Sequence, residues 1–201
     1  MKLNDESVFI YPTDTVWGIG ASIRSKAARE KINVIKRSPD DKPLSIMFTD
    51  INTLYNSFNF PDGMSVSWLR NFFKLESTLG LPLRISKISI PSWVTAKSEF
   101  VSVRCLEFPA LKEISQDLAA PFFTTSLNLA GEPPITSYED ALKFQKEHAH
   151  SCEFFGDSTH DLSGRSSTIV FLKGDKFEII RVGSKVEEIK KHLLTSGLII
   201  S

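Results

Sequence analysis

The chain has 201 residues, with 24 basic and 24 acidic side chains and 41% hydrophobic content. That length suits one compact domain of roughly 100–200 residues, and the composition excludes disordered and fibrous classes. Zero formal net charge argues against broad adhesion to nucleic acid but leaves room for a local basic cleft.

Cys105 and Cys152 lack CxxC spacing, so neither a disulfide framework nor a cysteine zinc site is indicated, and two reduced thiols are expected. The amino terminus is too short and polar for a signal segment. No window approaches the ~20 apolar residues of a membrane helix. A cytoplasmic address and no membrane contact are expected.

In chain order, residues 7–11 are β-rich and stop at Pro12, which cannot donate to a ladder. Thr13-Asp14-Thr15 reads as a turn capped by small oxygens. Gly18 and Gly20 then let the backbone turn closely beneath it rather than bind phosphate. Residues 23–37 carry Ala27, Ala28, Ile32 and Ile35 among basic side chains, a surface helix ending before Pro39. Residues 43–48 form a short apolar run, a buried strand, and Asp50 can cap a helix through Tyr55.

A further helix is expected over 64–73, and one or two irregular strands over 78–90. Residues 99–105 read as a strand, 109–118 as a short helix, and 121–125 as a strand entering the loop SLNLAGEPPIT. Ser137 and Asp140 have capping-box spacing at the head of a helix over 137–148. Strands over 168–172 and 177–181 straddle the turn Lys173-Gly174-Asp175-Lys176. Ser184 with Glu187 gives a second capping box, opening a helix over about 185–195 with Val186, Ile189 and Leu193 on one face. Strands and helices intermix without a repeat, so the expected fold is α/β (α+β) with a twisted mixed sheet and flanking helices.

Familiar nucleotide signatures are missing. There is no GxxxxGK(S/T) loop, and Gly18-Ile19-Gly20 lacks a third glycine. His148, His150, His160 and His192 have no ligand spacing with carboxylates, so no metal site is expected. Ser126 lacks a GxSxG setting. Three polar clusters remain, each at a junction between a regular element and a loop, where α/β folds bind ligands. Thr13-Asp14-Thr15 is the first. KRSPDDKPL, residues 36–44, gathers Lys36, Arg37 and Lys42 around a proline turn, equally a solvated charge run or a seat for a triphosphate. TTSLNLAG, residues 124–131, crowds hydroxyls and an amide into one loop. Adding Arg104, Ser166, Ser167, Thr168 and Arg181, the set describes a phosphate-and-carboxylate site without a histidine base.

In this order the motifs resemble those of the YrdC-like family of threonylcarbamoyl-AMP synthases, from about residue 7 to 183. PTDTVWG is similar to the family's PT(D/E)TVYG, KRSPDDKPL to KGRPxDKPL, SVRCLEFP to VRVPxHP, and TTSLNLAGEPPIT to (A/S)xSANxSGxPxPT. SSTIV and IIRVG resemble ESTIV and xLRPG. The resemblance implies a twisted mixed sheet with flanking helices and a concave basic groove, in a short single-domain member spanning 1–201 without the additional carboxy-terminal domain of longer ones.

It also implies formation of threonylcarbamoyl-AMP and pyrophosphate from L-threonine, bicarbonate and ATP, a nucleotidyl transfer serving threonylcarbamoyladenosine modification of tRNA. ATP is then a substrate, Mg²⁺ an expected companion, and tRNA or double-stranded RNA and tRNA-modification transfer proteins the wider partners. By motif position, Thr15, Arg104, Thr124 and Ser167 would contact threonine. Lys36, Arg37, Lys42, Ser126, Asn128 and Arg181 would serve the nucleotide, with Lys36 and Arg104 as catalytic charges and Trp17 as an aromatic wall.

The sequence departs from the pattern at Ser38 in KxR, at residues 74–78 in place of PGPLT, and at Met47, Lys97, Phe100 and Ser166. These changes lie mainly on the ATP side and define the competing reading, an impaired or non-catalytic member that binds RNA or a nucleotide.

Overall fold

The computed structural model describes residues 2–39 and 42–200. Asp40 and Asp41 of the KRSPDDKPL motif lie outside the described residues. The chain order is β1 (Val8–Tyr11), β2 (Gly18–Ser22), α1 (Lys26–Lys36), β3 (Ser45–Phe48), α2 (Ile51–Asn56), α3 (Val66–Phe73), β4 (Ser77–Pro82), α4 (Ser92–Thr95) and β5 (Phe100–Cys105). It continues through α5 (Pro109–Leu118), β6 (Phe122–Ser126), α6 (Tyr138–His148), β7 (Glu153–Phe154), β8 (Thr168–Lys173), β9 (Lys176–Arg181), α7 (Val186–Leu194) and β10 (Ile199–Ile200).

All ten strands join one mixed sheet in the order β10-β9-β8-β4-β5-β3-β6-β2-β1-β7, as the fold class expected. One face is buried under helices. Ile10, Ile19, Ile46, Phe48, Val103, Phe123 and Val170 pack there with Ile32 of α1, Leu54 of α2, Leu69 and Phe72 of α3, Phe144 of α6 and Leu193 of α7. On the opposite face α5 covers only one end, where Leu111, Ile114 and Leu118 bury Phe9, Tyr11, Met47 and Phe122. Because side chains alternate along a strand, the residues that continue this face beyond α5 are left open to a ligand.

Four sequence expectations differ from the structure. Residues 18–22 form β2, paired with both β1 and β6, rather than a turn. Glycine is a poor strand former in general, but a Cβ at Gly20 would lie 2.6 Å from the Phe123 carbonyl oxygen, so close strand packing selects it. Helix α1 starts at Lys26, three residues late, because the Ser25 side chain accepts from the Ala28 amide and caps it there. The 78–90 stretch is one strand followed by a 3-10 turn over Leu83–Ile85. At α7 the cap position falls to Lys185 without a side-chain bond, so the Ser184/Glu187 box does not form, whereas Ser137 does accept from the Asp140 amide.

Candidate active site

Sheet register assembles the site. Thr124 of β6 lies opposite Ser45 of β3, Ser45 opposite Ser102 of β5, Ser102 opposite Gly80 of β4, and Gly80 opposite Phe171 of β8. Two residues along, Met47 faces Arg104, and Ile169 faces both Thr78 and Arg181. These rows share one face, and they floor a cleft of about 340 Å³ whose rim is Thr13, Thr15, Ser126, Ser166 and Ser167.

Arg104 is the cation at its centre. It is 7% exposed, and its guanidinium is held from three sides. Nη2 donates to Asp14 Oδ1 at 2.5 Å, Nη1 to Thr15 Oγ1 at 3.2 Å and Nε to the Ser77 carbonyl at 3.3 Å. The loop carrying Asp14 and Thr15 is itself fixed. Thr13 Oγ1 donates to the Val16 carbonyl and accepts from the amides of Thr15 and Val16, a local side-chain turn. Thr124 Oγ1 is bonded to the Tyr11 hydroxyl, and burial pushes that phenol's pKa up, keeping it a neutral partner.

Ser167 Oγ sits between Thr78 Oγ1 at 2.7 Å and Arg181 Nη2 at 3.1 Å, and Arg181 Nε donates to the Ser167 carbonyl. Burial, and then the like charge of Arg104, lower the Arg181 pKa. Two guanidiniums close enough to feel each other, with buried hydroxyls around them, make a site that gains from an anion.

A second cavity of about 180 Å³ shares Pro43, Thr125 and Ser126 with the first and is bordered by Lys36, Lys42 and Asn128. Lys36 lies here and does not line the Arg104 cleft. Its ammonium donates to the carbonyls of Ser126 and Asn128 and to Asn128 Oδ1. Those three acceptors take all three donors of the group, so Lys36 organises the 126–128 loop. Burial, then repulsion from Lys42, bring its pKa down to about 8. Asn128 completes the loop by accepting from Ser126 Oγ and donating to the carbonyls of Leu129 and Glu132.

Of the residues expected from the sequence, Thr15, Arg104, Thr124, Ser126, Ser167 and Arg181 line the cleft, and Lys36, Lys42, Ser126 and Asn128 line the adjoining cavity. Arg37 borders neither. It is exposed and terminates α1 in the left-handed conformation, φ 53°, where its backbone caps the helix. Trp17 corrects an expectation too. Its ring is fully buried and stacked on Phe154, centroids 5.2 Å apart, so it packs the core and offers no exposed aromatic wall.

The sequence reading missed Asp14 as the partner of Arg104, and it missed Ser45, Ser102 and Phe171 on the floor. The i, i+2 spacing of Ser102 and Arg104 in a strand was a usable signal, since both must face the same way. Among the described residues no group of three or more His, Cys, Asp or Glu side chains could hold a metal ion, and no helix is long and apolar enough to cross a membrane.

Fold and cleft together define an α/β protein with a basic, hydroxyl-lined cleft on one open sheet face. The family described as telomere recombination, Sua5/YciO/YrdC, matches residues 1–183, and the chain belongs to it. A threonylcarbamoyl-AMP synthase of Psychrobacter arcticus is 31% identical over 172 residues, 77% of this chain and 80% of its own.

Among solved structures, P. abyssi Sua5 complexed with L-threonine superposes with a TM-score of 0.79 at 24% identity over 98% of this chain. This chain spans 56% of that one's length. E. coli YciO gives 0.70 at 23% identity, covering 89% of this chain and 84% of its own. These two show the shared fold. None of these relationships favours the non-catalytic reading.

Proposed function

We propose that the protein is an L-threonylcarbamoyladenylate synthase, converting L-threonine, bicarbonate and ATP to threonylcarbamoyl-AMP and pyrophosphate for the modification of tRNA. By reaction type it is a nucleotidyltransferase. The observation that carries this reading is Arg104, a nearly buried guanidinium held in place by Asp14, Thr15 and Ser77 and facing the hydroxyl-lined cleft. It is accompanied by relatives that carry the synthase name.

Threonine's amine adds to the carbon of bicarbonate, water leaves, and an N-carboxylate forms. An oxygen of that carbamate attacks the α-phosphorus of ATP, the bridge between α- and β-phosphates breaks, and the electron pair departs on pyrophosphate. The step depends on alignment and on neutralising charge as it develops, more than on a strong base. Arg104 has the planar fork that matches a carboxylate and takes the threonine carboxylate. Thr15, Thr124 and Ser167 orient the amino acid.

Ser126 and the loop organised by Lys36 and Asn128 face the phosphates, with Lys42 at the outer edge of the second cavity and Arg181, on β9 across the cleft, serving the nucleotide from its other end. Arg37 would reach them only by a change of side-chain position. A Mg²⁺ would accompany the triphosphate and bring charge neutralisation with it. The described residues offer no cluster to hold such an ion by themselves. Transfer proteins acting on tRNA, and RNA itself, are the downstream partners of this reading, and the cytoplasm its compartment.

The test is pyrophosphate release by the purified chain. Release that needs threonine, bicarbonate and ATP together supports the assignment. No release, with the Psychrobacter enzyme active in parallel, overturns it.

A further inference from the structure

One part of the cleft floor is neither charged nor hydroxylic. Phe171 borders the cleft and is half-buried, with Ile169 and the 48%-exposed Ile180 beside it. Its ring lies across Gly80, the residue directly opposite on β4. A Cβ added to Gly80 would sit 2.1, 2.4 and 2.6 Å from three adjoining ring atoms, Cδ1, Cε1 and Cγ. Glycine is therefore what lets the ring settle onto the sheet. Phe100 packs against it, centroids 5.0 Å apart and planes 31° from parallel.

A half-buried ring that borders the cleft keeps aromatic surface for a second planar group. The position of the ring says which group. The row Thr124, Ser45, Ser102, Gly80, Phe171 crosses four strand spacings from β6 to β8, each roughly 4.8 Å. At its β6 end is Ser126, next to the Lys36–Asn128 loop. One end of this row is thus polar and cationic and the other flat and apolar, with Arg104 and Arg181 alongside.

We propose that Phe171, seated on Gly80 and packed against Phe100, is the stacking platform for the nucleobase of the nucleotide substrate. This rests on the reading of the cleft as an ATP site, and deepens it by placing the base at the β4–β8 end and the polyphosphate toward Ser126. Stacking on an aromatic face is tolerant of base identity, so the platform supplies affinity and position without selecting among purines.

The experiment measures binding of ATP, GTP, inorganic tripolyphosphate and L-threonine to the purified chain and to Phe171→Leu and Phe171→Trp, with circular dichroism as the check on folding. Leucine keeps apolar bulk and removes the flat ring. Phe171→Leu is expected to weaken ATP and GTP by about tenfold, while tripolyphosphate and threonine bind as in the wild type and Phe171→Trp retains nucleotide affinity. ATP binding unchanged in folded Phe171→Leu overturns the platform alone, and so does an equal loss of tripolyphosphate. Wild-type protein that binds threonine but no ATP overturns the ATP-site reading and the platform with it.

Discussion

Asp14 and Arg104 form an ion pair at the lip of the cleft, Nη2 to Oδ1 at 2.5 Å, with side chains 18% and 8% exposed. A guanidinium has five N–H donors. Three acceptors, Asp14, Thr15 and Ser77, each take one, which leaves donors for an incoming carboxylate. Asp14 fixes the plane of Arg104, and under the proposed function it also competes with threonine's carboxylate for the same charge. Lysine at position 104 could not serve three fixed acceptors and a planar ligand together.

Asp14→Asn separates those effects. The amide keeps the shape and loses the charge, leaving a nearly buried guanidinium without its counter-ion. Loss of stability of about 1–3 kcal/mol is expected, below the ~3–5 kcal/mol of a fully buried pair, because the side chains keep some solvent. Threonine's carboxylate can replace the missing charge, so saturating threonine should raise the Tm of Asp14→Asn by more than it raises that of the wild type. Equal threonine shifts in the two proteins would remove Asp14 as a competitor for Arg104.

Lys36 makes a prediction in pH. Its folded pKa of about 8 lies below the ordinary 10.5, so between these values the unfolded chain binds more protons and stability rises with pH. The cost of burying the ammonium is fully present below about pH 8 and relieved toward pH 10.5. Nucleotide binding should move the other way, since a neutral amine has one donor fewer for Ser126 and Asn128 and brings no charge to the phosphates. ATP affinity is expected to fall as pH rises through about 8. In Lys36→Met it should be low throughout, without that limb, and the rise in Tm from pH 7 to 9 should be smaller than in the wild type. An identical pH profile in Lys36→Met would exclude the ammonium as its source.

Much of this was readable in advance. The hairpin of β8 and β9 carries its turn signal in Lys173-Gly174-Asp175-Lys176, and β1 ends at a proline; both are local. The hydroxyls and Arg104 stood out because motifs keep them at fixed places along the chain. Asp14 as a partner of Arg104, and Phe171 as a partner of Gly80, depend on contacts between segments far apart in the chain, for which a single sequence carries no signal. Lys36 was legible as one of three cations around a proline turn. That its three donors are occupied within the protein follows only from where the 126–128 loop lands.

Strand β2 was hidden for another reason, since GIGAS has the composition of a turn, and its glycines answer to tertiary crowding. Gly20→Ala puts a methyl group 2.6 Å from the Phe123 carbonyl oxygen and 3.2 Å from the Phe9 ring. The oxygen is backbone in a paired strand and cannot swing aside. Destabilisation of about 1–3 kcal/mol is expected, read as a lower urea midpoint with unchanged slope. Activity at temperatures where the variant stays folded should fall as well, because β2 positions Ser126 through its pairing with Gly18. A midpoint equal to the wild type would show that the sheet yields at this point.

Asn128 offers the sharpest test of where the polyphosphate lies. Its Oδ1 accepts from Lys36 and Ser126, and its Nδ2 donates to the carbonyls of Leu129 and Glu132. Asn128→Ala removes these bonds and strands their partners, at a cost of about 1–3 kcal/mol. Asn128→Asp keeps the acceptor for Lys36 but turns an oxygen toward two carbonyl oxygens and adds a negative charge at the wall of the cavity. Opposite charge on Lys36 offsets part of the folding cost, whereas nothing offsets repulsion of a phosphate.

Asn128→Asp should therefore fold at least as well as Asn128→Ala and yet bind ATP more weakly, by about tenfold or more for one like charge at an effective dielectric near ~20. Threonine affinity should be the same in both, since Arg104 lies in the other compartment of the site. Titrating ATP and threonine into the two variants decides it. If Asn128→Asp binds ATP as tightly as Asn128→Ala, the phosphates do not approach the Lys36–Asn128 loop.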